Sequence, residues 1–182
     1  EKSLGKTFPF TRLNFFQVIV YFQKQATADG VNVKVEERTV LGKKYQSLIY
    51  YDYYNLKREQ AMEGLCELLL GSLVKGGDND GEDRSLPGWF VRGMSQNLFV
   101  ADRSRNSKSI NAKWRAGEMV SLSDVMSLDG HLPDLDVCGA MVGWLLSFPP
   151  DVDIVNKLIS HVAGGGEVTK AWLGAQISAS SS

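Results

Sequence analysis

The sequence predicts an α+β fold in which a small N-terminal β-sheet precedes a helical bundle. Three observations carry this. β-branched and aromatic residues dominate the first third, with a period of two at Val31, Val33 and Val35. From about residue 55 the apolar period becomes helical, with Met62, Leu65, Cys66, Leu69, Leu70 and Leu73 on one broad face. The strands come first and the helices follow without alternation, the order of an α+β chain.

Asn14 to Phe22 reads as a central strand, Val31 to Val35 as a strand with one wet face, and Gln46 to Tyr51 as a third strand. Asp29-Gly30 and the segment Leu41 to Lys44 mark turns. The first helix is expected over Asn55–Val74, with Asn55 as its N-cap. An exposed acidic loop, Gly76 to Asp83, comes next. It resembles a calcium loop, but no acidic residue stands at the twelfth position. Pro87 opens a second helix expected to reach Asp102, and residues 103–118 read as a basic, polar connection. Ser121 or Ser123 caps a short helix. Further helices are expected over Asp136–Phe148, Val152–Val162 and 167–177, stopped by Pro149-Pro150 and by Gly164 to Gly166. The expected organisation is one domain, 1–182, with a β-rich part at about 14–53, a helical part at 55–177 and a frayed tail at 178–182.

Composition excludes several classes. The chain has 182 residues, 43% hydrophobic and 23% charged, which rules out disorder and fibrous repeats. A formal net charge of −1 argues against a dedicated nucleic-acid partner. The charge is uneven: residues 1–60 hold 10 basic and 6 acidic side chains, net +4, and residues 61–182 hold 10 and 15, net −5. No apolar run reaches the roughly 18–20 residues of a membrane span. Glu1 rather than Met stands first, which favours an exported chain, periplasmic or extracellular.

Ordinary catalytic constellations are thin. The two histidines, His131 and His161, are 30 residues apart, and His161 suits a helix C-terminus. Ser95 lacks the glycine frame of a nucleophile elbow, and Gly164 to Lys170 does not match a phosphate-binding loop. Cys66 and Cys138 fit no zinc spacing and are expected to stay unbonded to one another.

One segment is more specific. Leu86-Pro-Gly-Trp-Phe-Val-Arg-Gly-Met-Ser-Gln-Asn-Leu98 follows an amphipathic helix and a loop. It resembles the second motif of gluzincin metallopeptidases, in which an HExxH helix precedes a helix of the type "lP-x-W-l-x-E-G". Segments like Val120 to Leu128, Ala140 to Leu146 and Val155 to Ile159 extend the resemblance over roughly residues 14–177. The resemblance implies a zincin-like fold in which Pro87, Trp89 and Gly93 pack the second helix onto the first, with Gly93 facing Leu69 or Cys66. In that family two histidines and the Glu before Gly bind zinc, and the Glu of HExxH is the general base. Two registers are open. One puts Cys66-Glu67-Leu68-Leu69-Leu70 in the HExxH place and the other Arg58-Glu59-Gln60-Ala61-Met62, the first having the more usual distance to Leu86-Pro87.

The family's ligands do not carry over. Cys66 and Leu70 replace the histidines, and Arg92 replaces the glutamate. Catalytic zinc needs three protein donors, and a permanent guanidinium cation repels it. The resemblance therefore implies a pseudoenzyme without a cofactor, whose vestigial positions are Cys66, Glu67, Leu70 and Arg92. It would act as a binding or structural module for a protein or peptide; the alternatives are an α+β domain unrelated to that family, or a hydrolase that uses non-zinc chemistry through Cys66 or Glu67. Arg92 is expected to pair with Glu67.

Overall fold

In a computed structural model, residues 18–27, 32–74, 84–98, 100–126, 135–149 and 152–179 are described. They form an α+β structure: a three-stranded sheet, then seven helices. β1 (Val18–Phe22), β2 (Val33–Val40) and β3 (Lys43–Tyr50) lie in the order β1-β3-β2. β3 pairs parallel with β1 (Val20 opposite Leu48) and antiparallel with β2 (Val35 opposite Leu48). Its central place explains why Ser47, Leu48, Ile49 and Tyr50 are all buried. The turn expected over 41–44 shrinks to Leu41 and Gly42, both at positive φ. That two-residue geometry matches the twist of the strands it joins. Residues 14–17 of the expected first strand, the acidic loop 76–83 and His131 lie outside the described residues.

The first helix, α1 (Arg58–Val74), starts three residues later than expected. The Asn55 amide is engaged instead by the carboxylate of Asp52, at 3.0 and 3.1 Å. The Gln60 side chain caps the helix by accepting from the Lys57 N–H at 3.1 Å. The broad apolar face resolves into two. Ala61, Leu65 and Leu68 meet Val33, Val35, Leu48 and Tyr50 of the sheet, while Cys66, Leu70 and Val74 enter the helical core. The helix therefore lies between sheet and bundle.

The expected helix from Pro87 to Asp102 ends at Asn97: α2 spans Gly88–Asn97. The Asn97 Nδ2 donates to Gly93 O and Gly139 O, 2.7 Å each, and so ties the end of α2 to a neighbouring helix. The segment expected as a connection is a helix, α3 (Val100–Ala116). No glycine or proline interrupts it until Gly117, which takes φ +70 and lets Glu118 N–H bond Lys113 O at 2.9 Å.

The short helix α4 (Leu122–Met126) is capped by Ser121. Its Oγ accepts from Asp124 N–H at 3.1 Å, and Asp124 Oδ2 accepts from Ser121 N–H at 3.2 Å. α5 (Leu135–Leu145), α6 (Ile154–Ala163) and α7 (Lys170–Ala179) follow near their expected places. α7 includes Ser178 and Ala179 of the expected tail, and residues 180–182 lie outside the described residues. The main core is built from Trp89, Phe90 and Met94 of α2, Cys138, Val142 and Leu145 of α5, and Ile154 and Leu158 of α6, with Cys66 and Leu70 against them.

Candidate functional site

Cys66 and Leu70 are buried, Glu67 is exposed, and Arg92 lies on the next helix. The expected Arg92–Glu67 pair is replaced by another: Arg92 Nε donates to Glu63 Oε1 at 2.7 Å. Helical geometry supplies the reason. Glu63, Cys66 and Leu70 stand at i, i+3 and i+7 and share the stripe of α1 that faces the bundle, whereas Glu67 falls beyond its edge. The ion pair is partly sheltered, with 18% of the Arg92 side chain and 29% of the Glu63 side chain exposed. Glu63 is the site residue that the sequence reading missed. Its place three residues before Cys66 sets it on that stripe.

The packing motif also divides differently. Trp89 is buried against Phe90, edge to face, and Pro87 opens α2 by accepting from Phe90 N–H at 2.9 Å. Gly93, expected to face Leu69 or Cys66, faces α5. A Cβ there would lie 2.3 Å from Val142 Cγ2 and 2.4 Å from the Cys138 carbonyl oxygen. Leu69 is 38% exposed. Successive helical residues point about 100° apart, so residues 92 and 93 cannot both address α1.

Both cysteines are free and buried. Burial pushes the Cys66 thiol up to about 12, and the nearby Glu63 carboxylate adds to the shift. Burial likewise raises Cys138 to about 11 against the pull of Arg92. Neither thiol offers a thiolate near neutrality, as a nucleophile or as a metal ligand. The zinc that the resembling family holds does not fit these residues. Leu70 has no donor, Cys66 holds its proton, and Arg92 is a cation committed to Glu63. Among the described residues no group of three or more His, Cys, Asp or Glu could hold a metal ion. His161 lies elsewhere, on α6, stacked on Trp172 with its Nε2 3.0 Å from the Glu167 carbonyl.

Comparison with protein families, curated proteins and solved structures finds no match to this chain. Among the described residues no helix is long and apolar enough to cross a membrane.

Proposed function

We propose that the chain is a catalytically inactive, metallopeptidase-like domain of zincin-like architecture that serves as a binding or structural module for a protein or peptide. The Glu63–Arg92 pair carries this reading. It sets a fixed positive charge and its counter-ion across two successive helices, which on this reading stands in for a cation and its ligands. Burial of Cys66 and Leu70 supports it further, since residues built into a core serve packing rather than chemistry. A second reading, an α+β domain unrelated to that family, draws on Gly93, which closes α2 on α5 rather than on α1.

The test is metal content and peptidase activity after incubation of the purified chain with excess Zn²⁺ and removal of unbound ion. The expected result is neither stoichiometric zinc nor hydrolysis of a mixed peptide library. About one zinc per chain, lost on Cys66→Ser, overturns the proposal, and so does zinc-dependent hydrolysis.

A further inference from the structure

A trough of about 490 Å³ runs between α3 and α5. The two helices are antiparallel: Asn106 lies against Gly139, while Ser109 and Lys113, further along α3, reach back to Asp136. On the α3 side the trough is lined by Ser107, Ile110 and Asn111, and on the α5 side by Ala140, Trp144 and Ser147. Each set has helical spacing, so each helix presents one continuous flank. Trp114 stands four residues after Ile110 and extends the α3 flank by one turn.

Large aromatic groups on these flanks face water. Trp114 is 73% exposed and Trp144 49%. Phe148 holds the Trp144 ring edge to face, with centroids 5.2 Å apart. An aromatic group fixed at the surface loses little further rotamer freedom on binding, and tryptophan is enriched among the residues that dominate interfaces.

The charge beside the trough is positive. α3 holds Arg103, Arg105, Lys108, Lys113 and Arg115 against one acid, Asp102. Lys113 pairs with Asp136, and Arg105 approaches Glu59 at 3.8 Å. Lys108 and Arg115 are both exposed. They stand three residues before and four residues after Asn111, so they share its stripe and form the shoulder of the trough. The surroundings have the opposite sign. Residues 61–182 hold 10 basic and 15 acidic side chains, and without the five and one of α3 they hold 5 and 14, net −9.

We propose that the α3–α5 trough docks an acidic amphipathic helix of a partner protein, its apolar face against Trp144, Ile110 and Trp114 and its flanking carboxylates on Lys108 and Arg115. Two antiparallel helices leave a gap that a third helix fills with apolar anchors at i, i+3, i+4 and i+7. The basic shoulder selects an acidic partner and speeds its encounter. A nucleic acid is a longer polyanion and would meet the acidic surroundings of α3. A bilayer is flat on this scale and would leave the trough unfilled. The inference rests on the reading of the chain as a binding module and not on its likeness to a metallopeptidase, which zinc content tests separately.

The experiment presents the whole chain with a displayed library of peptides of about 18 residues, or about five helical turns. Leu is fixed at the i, i+3, i+4 and i+7 positions, and the other positions vary among Glu, Gln and Lys. The recovered peptides should be rich in Glu. For the tightest of them, fluorescence anisotropy should show binding weakened about tenfold or more by the double change Lys108→Glu and Arg115→Glu, and about tenfold by Trp144→Ala. Lys157→Glu, a charge reversal at an exposed position of α6, should leave it unchanged. The double reversal lies at exposed positions and decides the matter if Trp144→Ala does not fold. Recovery of no peptide, or of Lys-rich peptides, overturns the proposal. So does an affinity untouched by the double reversal. Tighter binding to phosphatidylserine vesicles or to a DNA duplex, or self-association abolished by the double reversal, gives the face to another occupant and overturns it as well.

Discussion

The α2–α5 junction and the α1–α2 junction are built by neighbouring residues from opposite materials. Gly93 brings α2 to backbone distance of α5, and Cys138, Val142 and Leu145 close the contact without a charged group. Arg92, one residue earlier, holds α2 to α1 through an ion pair with Glu63. The first contact tolerates no added atom because one wall is a carbonyl oxygen that cannot rotate away. The second depends on two long side chains and can adjust. Stability should therefore concentrate at α2–α5, and electrostatic tuning at α1–α2.

The sharpest way to break this contrast is Gly93→Leu. Overpacking against Val142 and the Cys138 carbonyl should cost about 3 kcal/mol or more, a fall of about 6–12 °C in Tm. An unchanged Tm by calorimetry would show that α2 and α5 are not in this contact.

Alkaline titration comes next. Both thiols have folded-state pKa values above the ordinary 9.0, at about 12 and about 11. A raised pKa favours the folded state fully below pH 9, and that contribution is lost as pH rises toward 11–12. Chemical denaturation should show stability falling above pH 9, and less steeply in Cys66→Ala, when each is compared with its own value at pH 8.

A smaller effect is expected at the α3–α5 junction, where Asp136 accepts from Ser109 and from Lys113, the latter at 3.3 Å. Burial alone would raise the Asp136 carboxyl, but these donors outweigh it and hold it below the usual range. Its stabilising contribution is present above the unfolded carboxylate pKa and fades as pH falls through the lower folded value. Asp136→Asn should cost about 1 kcal/mol at neutral pH. It should raise amide exchange in α3 before that in α2, and uniform exchange in both would contradict the separation of the two contacts.

The smallest effect is favourable. A Cβ at Gly174 of α7 meets nothing within 4 Å. Gly174→Ala should therefore stabilise by about 0.5–1 kcal/mol, the opposite sign to any change at Gly93.

The order of elements was readable because apolar period changes near residue 55 and because Pro87, Ser121 and the Gly164 to Gly166 run punctuate the helices. The α2–α3 boundary was not. It depends on Asn97 reaching the Gly139 carbonyl, a partner 42 residues away. The polar helix α3 reads as a connection in sequence because only a narrow strip of it, around Asn106 and Ile110, packs inward. At the candidate site the residue types announced the absence of zinc donors. They did not announce Glu63, because a charged residue on an apolar stripe shows its purpose only when a partner arrives from another helix.

The most direct measurement is a double-mutant cycle between α1 and α2. Arg92→Met alone leaves the Glu63 carboxylate half-buried without its cation and should cost about 1–2 kcal/mol, reduced for partial exposure. In a Glu63→Gln background the same change should cost less, giving a coupling of about 1 kcal/mol in urea unfolding. Arg92→Met should lose the same in a Glu67→Gln background as alone. Zero coupling to Glu63, or coupling to Glu67 instead, would contradict the assignment of the charge pair that joins α1 to α2.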